Sequence, residues 1–310
     1  MVVLATTLIA FLLFRFVGDP VAQMVGQDTL PAERAALRKQ LGLEDSFSAQ
    51  FLRYLGRIAQ GDLGYSLRTG RPVATTISER IPASVELAIG AALLALVIGL
   101  MGGIAAAVRP RGAMARVITG FAGLGMAIPS FLVGSVLILV FGVYLGWLPV
   151  FGRGETMEWY GWTTGLATAE GRAALVLPAI TLALFPAALV TRFLRAELRT
   201  ILDADYIRTA RSLGLPPQTI YWRHALPNAL APMIAIGALQ LGALLAFAVV
   251  TEAVFQWPGL GSLLLQSIQF ADVAVLAAYL PLTALTFLAI NLLADIGASA
   301  VDPRVRDTRP

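Results

Sequence analysis

Residues 84–108 read SVELAIGAALLALVIGLMGGIAAAV. One acid, Glu86, stands near the start, and no charge follows until Arg109. About 20 apolar residues suffice to cross a bilayer as a helix, so this stretch is expected to be a span. Five more apolar stretches follow the same logic: residues 1–17, 117–145, 173–190, 232–255 and 273–298. Backbone groups in lipid must be satisfied within the segment, which calls for helices here, since no alternating ten-residue pattern suggests a barrel. The expected fold is an all-α integral membrane protein with six transmembrane helices.

Composition agrees. Hydrophobic residues make up 57% of the 310 and charged ones only 14%, against roughly 25% charged in soluble domains. Too little charge is present to clothe a soluble core, so the lipid bilayer is the first expected partner. Cysteine is absent, which excludes disulfides, thiolate metal sites and cysteine nucleophiles. His224 and Lys39 are the only residues of their kinds. The net charge of +4 comes from arginines spread over loops, and nucleic acid is not an expected partner.

Residues 1–18 form the first expected helix. A signal peptide would need a basic start and a small-residue cleavage site; Arg15 instead lies at the far end. A membrane span, shortened at its N-terminal side, is expected. Arginine placement orients the chain. Arg109, Arg111 and Arg116 lie between helices two and three with no acid. Arg192, Arg195, Arg199, Arg208, Arg211 and Arg223 lie between helices four and five, and Arg304, Arg306 and Arg309 lie in the tail, residues 301–310. These segments are assigned to the cytoplasm, with both termini. Residues 19–82 then form a long outer loop before a five-helix core, residues 83–300. In that loop residues 31–42 read as a short helix ending on Gly42, and residues 47–59 as an amphipathic one, with Phe51, Leu52, Leu55 and Ile58 on one face. Such a cap can pack on helix ends or meet an external partner.

No catalytic constellation is visible. A phosphate-binding loop needs Gly-x-x-x-x-Gly-Lys-Ser/Thr, and the lone lysine, Lys39, precedes Gln40 in the outer loop. Uphill transport would draw its energy from a partner or an ion gradient. The cytoplasmic segment, residues 192–230, is more informative. Asp203 and Asp205 suit a helix N-terminus. The helix continues through Tyr206, Arg208, Ala210 and Arg211 until Gly214, which permits a positive φ. Pro216 and Pro217 start a second helix toward His224 and Asn228. A helix–turn–helix across the cytoplasmic face is expected. Small Ala210 would admit another surface closely; Arg208 and Arg211 would meet that surface or lipid headgroups; His224 packs or caps.

This segment resembles the cytoplasmic loop of ATP-binding-cassette importer permeases, written Glu-Ala-Ala, three residues, Gly, nine residues, Ile-x-Leu-Pro. Ala210 falls on the second alanine, Gly214 on the glycine, and Leu226 and Pro227 on the Leu-Pro. Arg208 replaces the glutamate, Thr209 the first alanine and His224 the isoleucine, departures that resemble the dipeptide/oligopeptide/nickel branch. Gly18-Asp19-Pro20, residues 61–67 (GDLGYSL), residues 255–261 (FQWPGLG) and Asp302-Pro303-Arg304 extend the likeness over nearly the whole chain. The resemblance implies a bacterial inner-membrane permease subunit for short peptides or a related solute, with a periplasmic outer loop. It implies a second permease, two ATP-binding subunits and a periplasmic solute-binding protein as partners. ATP and Mg²⁺ would be bound by those subunits, leaving this chain without a cofactor. Asp205, Tyr206, Arg208, Ala210, Arg211, Gly214, His224, Leu226 and Pro227 would form the ATPase-coupling loop.

Ionisable and polar residues inside spans usually face a cavity or a partner. Glu252, Gln240 and Asn291 are candidates for a translocation path. Glu252, near the outer end of helix five, either holds a peptide amine at the outer mouth or serves structurally, by snorkelling or an interhelical bond; Glu86, near the outer end of helix two, has the same second option. Asp295 is expected to pair with Arg192. Pro129, Pro178, Pro186 and Pro281 interrupt spans and would permit gating. A secondary transporter would favour internal repeats and midplane acids; no repeat is seen and the acids sit near helix ends. A non-transporting scaffold would need neither the kinks nor the coupling-like loop.

Overall fold

The computed structural model describes residues 1–16, 30–40, 43–66 and 68–301. Gly18-Asp19-Pro20, Gly42, Leu67 and Asp302-Pro303-Arg304 lie outside the described residues, as does the side chain of Asp295. The chain divides into two units, Met1–Ile81 with Gly259–Leu288, and Pro82–Pro258 with Ala289–Pro310.

The first unit holds α1 (Val2–Phe16), α2 (Pro31–Gln40), α3 (Phe47–Ala59) and a hairpin of β1 (Tyr65–Ser66) with β2 (Arg71–Pro72). It also holds the start of α4 (Val73–Val108) and, later in the chain, α11 (Leu260–Gln269) and the start of α12 (Val273–Val301). The amphipathic reading of residues 47–59 matches α3, whose rings at Phe47, Phe51 and Tyr54 surround Phe11 of α1 at 5.4–5.5 Å. Tyr54 donates to the Ala277 carbonyl at 3.3 Å, and burial pushes its phenol up to about 12. A hydrogen bond from Arg57 holds the Asp62 carboxyl below its usual range. Val73, Ile77, Leu263, Val275 and Ala278 form this unit's buried cluster.

The second unit continues α4 and adds α5 (Ala113–Ala127), α6 (Ser130–Leu137), a hairpin of β3 (Met157–Trp159) with β4 (Trp162–Thr164), and α7 (Ala169–Leu202). Then come α8 (Asp205–Ser212), α9 (Pro217–Thr219) and α10 (Leu226–Val254). Three described helices are long and apolar enough to cross a membrane: α4, α7 and residues 273–293 of α12. At 1.5 Å per residue, the 36 residues of α4 reach about 54 Å, well beyond the roughly 30 Å hydrocarbon core. The expected fourth span, residues 173–190, lengthens likewise: α7 has 34 residues and carries Arg192, Arg195 and Arg199, placed in a loop by charge alone. Thr168 caps its start by accepting the Gly171 N–H at 3.0 Å.

The third stretch is not one straight span. Residues 113–127 and 130–144 are two legs bent by 108°. Pro129 disfavours helical φ/ψ at the residue before it, and Ile128 is extended at φ −88°, ψ 128°. The second leg closes in a π-helical turn, Ile138–Tyr144. If the bent pair counts as one span, up to four are found by length and composition among the described residues. The expected first stretch forms the 15-residue α1, shorter than those. The fifth lies on the 29-residue α10.

Within the second unit α7 is central. Its most apolar window is 61% buried, against 28% for α4, and it packs on α5, α6 and α10. On α4 the small residues Ala83, Ala91 and Ala95 turn inward with Leu87 toward Ala179, Ala183 and Ala187 of α7. Its large residues Ile89, Leu93, Leu96 and Met101 are exposed, which inverts the arrangement of a soluble helix and suits lipid. Gly99, Gly102 and Gly103 bring the backbones together: a Cβ at Gly99 would sit 2.6 Å from Val190 Cβ, and one at Gly103 2.9 Å from Leu194 Cβ. Gly99→Val is therefore expected to destabilise the protein by about 1–3 kcal/mol, the usual cost of overpacking. Met101→Ala, on the exposed face, serves as the control. The thermal aggregation midpoint in detergent reads both, and equal midpoints would refute the close contact.

Candidate functional site

The segment between α7 and α10 is built around one buried cluster. Ile207 and Ala210 of α8 join Leu194, Leu198 and Leu202 of α7, Ala107 of α4, and Ile220, Ala225 and Ala229 beyond the turn. Gly214 has φ +76°. Its N–H donates to the Arg211 carbonyl at 3.0 Å, and the Leu215 N–H donates to the Ala210 carbonyl at 3.2 Å. That pair of bonds, with Leu215 packed on the cluster that holds Ala210, is a Schellman ending. Pro217 takes the first turn of α9. From there a π-helical turn, Ile220–Ala225, leads directly into α10. The second helix of the expected helix–turn–helix is thus the start of a long helix and not a separate element.

Each expected coupling residue can be located. Asp205 and Arg208 are exposed and form an i,i+3 pair at 3.3 Å, a kind worth about 0.5 kcal/mol or less. The exposed Tyr206 hydroxyl accepts from Asn228 Nδ2 at 3.2 Å, and the same amide donates to the His224 carbonyl at 2.8 Å. Arg211, Gly214 and Pro227 are exposed, while His224 and Leu226 are half-buried. Ala210 corrects its reading: at 8% exposure it faces its own chain, and its small size serves packing on Ile207 and the α7 leucines. Two residues not singled out from sequence stand outward instead, Leu213 at 76% and Trp222 at 62% exposed. The signal was available for Leu213, an apolar residue three positions beyond Ala210 where the helix stops and the chain turns.

A second polar group lies at the start of α7. The Arg153 guanidinium is 2.7 Å from Glu86 of α4, with both side chains about nineteen-twentieths buried (5% and 6% exposed). Arg153 also donates to the Thr163 carbonyl at 2.6 Å and to Thr163 Oγ1 at 3.3 Å, which fixes the β3–β4 hairpin. Glu252 has no exposed surface and accepts from Ser84 Oγ at 2.6 Å. Of its two sequence readings, the interhelical bond is the one present; no carboxylate surface is offered to a solute in this conformation. Just past Glu252, α10 ends at Val254, Gln256 takes φ 48°, and the Trp257 backbone N–H closes back on the Glu252 carbonyl at 2.8 Å. The Trp257 indole N–H then donates to the Ala83 carbonyl at 2.8 Å. Asn291 is half-buried on α12. Arg192, expected to pair with Asp295, is exposed, with Nη1 3.3 Å from Met126 Sδ.

Gln240 of α10 lines a cavity of about 250 Å³ at the bend between α5 and α6, together with Ile128, Pro129, Thr181 and Phe185. Its Oε1 is buried and has no hydrogen-bond partner among the described residues.

Residues 98–307 match the family model of the binding-protein-dependent transport system inner membrane component, and residues 1–88 match that of its N-terminal part. The chain is 36% identical to the di/tripeptide transport system permease protein DppB of Pseudomonas aeruginosa (strain UCBPP-PA14), over 98% of this chain and 94% of that protein. It is 35% identical to the glutathione transport system permease protein GsiC of Escherichia coli (strain K12), over 96% and 94%. Among solved structures it shares the fold of an inward-facing MetNI methionine ABC transporter chain, with a TM-score of 0.55 and 21% identity over 71% of this chain and 93% of that one.

Removing one member of a buried ion pair strands the other, at a cost of about 3–5 kcal/mol. Arg153→Met should therefore lower the thermal midpoint far more than the double change Arg153→Met with Glu86→Gln. Equal loss in the two variants would show that the pair is not energetically coupled.

Proposed function

Because the chain belongs to the family of binding-protein-dependent transport system inner membrane components, we propose that it is the permease subunit of an ATP-driven importer of short peptides. The observation that carries this reading is similarity along nearly the full chain to the di/tripeptide and glutathione permeases, in a chain that keeps the helix–Gly–helix element between α7 and α10. Six membrane crossings follow if α1, α4, the bent pair, α7, α10 and α12 each count once. Arginine placement puts both termini and α8 in the cytoplasm of a cell bounded by that inner membrane. The partners are a second permease, two ATP-binding subunits and a periplasmic binding protein. This chain neither binds nor hydrolyses ATP; the Mg²⁺ and nucleotide belong to the ATP-binding subunits.

Coupling follows from packing. Tyr206, Leu213 and Trp222 give the element an amphipathic, partly apolar outer face, edged by Arg208, Arg211 and Arg223. An ATPase surface gripping that face moves α8, whose inner residues Ile207 and Ala210 lie among Leu194, Leu198 and Leu202 of α7. Close-packed side chains transmit such displacement with little slack. The second arm runs without a joint into α10, so the same push reaches the helix that carries Gln240 and Glu252. Alternating access is then the reorientation of α7 and α10 against their neighbours.

A Cβ at Gly214 would meet nothing within 4 Å of the chain itself. A larger side chain there projects outward while straining a positive φ that asparagine tolerates. Gly214→Arg is expected to abolish substrate-stimulated ATPase activity in the reconstituted complex while membrane insertion stays intact; Gly214→Asn should retain most of it. Normal stimulation in Gly214→Arg would refute docking at this element.

A further inference from the structure

The bend at Pro129 does more than redirect the third stretch. Ile128 leaves the helix, Pro129 has no N–H, and Ser130 begins a new helix. The carbonyls of Gly125, Met126 and Ala127 therefore receive no backbone hydrogen bond among the described residues. Those three residues line the same cavity as Gln240, whose Oε1 is buried and unpartnered. The cavity thus gathers hydrogen-bond acceptors that the chain itself leaves unmet. Leaving such a group buried and unmet costs about 1–3 kcal/mol.

An acyl chain would fill the space but satisfy none of these acceptors. An occupant that donates hydrogen bonds would satisfy them. No lining residue is ionisable, so a charged side chain would lose its hydration without a counter-charge. Arg192, in contact with Met126, is exposed and outside the lining. Apart from Ser130 and from Thr181, whose hydroxyl donates to the Leu177 carbonyl, the remaining walls, among them Leu184, Phe185 and Leu244, are apolar. At roughly 30 Å³ for each water in the liquid, the volume of about 250 Å³ accommodates one amino-acid residue and not an extended peptide. A primary amide offers both an acceptor and donors, the complement of a peptide unit.

We propose that this cavity is a binding station for one uncharged, apolar residue of a passing peptide. Gln240 holds that residue's backbone amide, the released carbonyls accept from its N–H groups, and Leu184, Phe185 and Leu244 surround its side chain. The station rests on the importer reading above and assigns to it a substrate preference inside the membrane.

The test uses the complete reconstituted transporter with its binding protein and, as probe, a tripeptide of alanine, diazirine-leucine and alanine, whose central residue carries neither terminal charge. Illumination during ATP-driven uptake should label residues of this cavity, located by mass spectrometry. Gln240→Leu should lower that labelling at least fivefold. Leu184→Trp, which fills the space, should abolish it, and co-purification of all subunits shows whether each variant still assembles. Uptake of the tripeptide without labelling here, or labelling unaffected in both assembled variants, overturns the station alone. Failure to take up any di- or tripeptide overturns the peptide-importer reading itself, and the station with it.

Discussion

The close approach of α4 to α7 is the contact on which the second unit depends. In lipid no hydrophobic force gathers helices, because the surroundings are as apolar as the side chains; dispersion and backbone proximity must do so. Gly99, Gly102 and Gly103 provide that proximity by removing the side chains that would stand between α4 and Val190, Thr191 and Leu194. Thr191 adds a hydroxyl within 3.4 Å of the Gly99 carbonyl while bonding its own helix at Ala187. With α7 fixed in this way, its other faces can receive α5, α6 and α10, and its final leucines can hold α8.

The same helix ties two distant features together. Its start lies beside the Arg153–Glu86 pair, and its end packs on the segment that closes at Gly214. The first is polar and dry, the second apolar inside and partly apolar outside. A buried ion pair adds little net stability but tolerates no missing partner, which suits a point that must close in one arrangement. The coupling element instead gains its shape from backbone hydrogen bonds and leucine packing, leaving Leu213 and Trp222 outward.

Much of this was legible in the residues. Long apolar runs set α4, α7 and α12, because their period matters less than their length in a bilayer. The α3 boundaries followed from one-sided spacing, and the turn at Gly214 from a glycine flanked by a helix and two prolines. The sharp bend at Pro129 was only partly legible: proline marks an interruption, but its angle depends on what packs against the freed backbone. Ala210 misled because smallness suits an inner contact as well as an outer one. For Glu252 the two sequence readings differ only in which partner lies nearby, and Ser84, 168 positions away in the chain, is invisible to local pattern.

The broken third stretch also bears on what a segment can do by itself in a bilayer. Each leg has 15 residues, about 22 Å of helix, short of the roughly 30 Å that an autonomous span must cover. Between the legs lie carbonyls that lipid cannot satisfy. Neither leg can therefore cross the bilayer alone. The bend is tolerable only where other parts of the chain cover it, and α7 packs on both legs. A shape that an isolated segment could not hold in lipid thus becomes admissible through a helix that comes later in the chain.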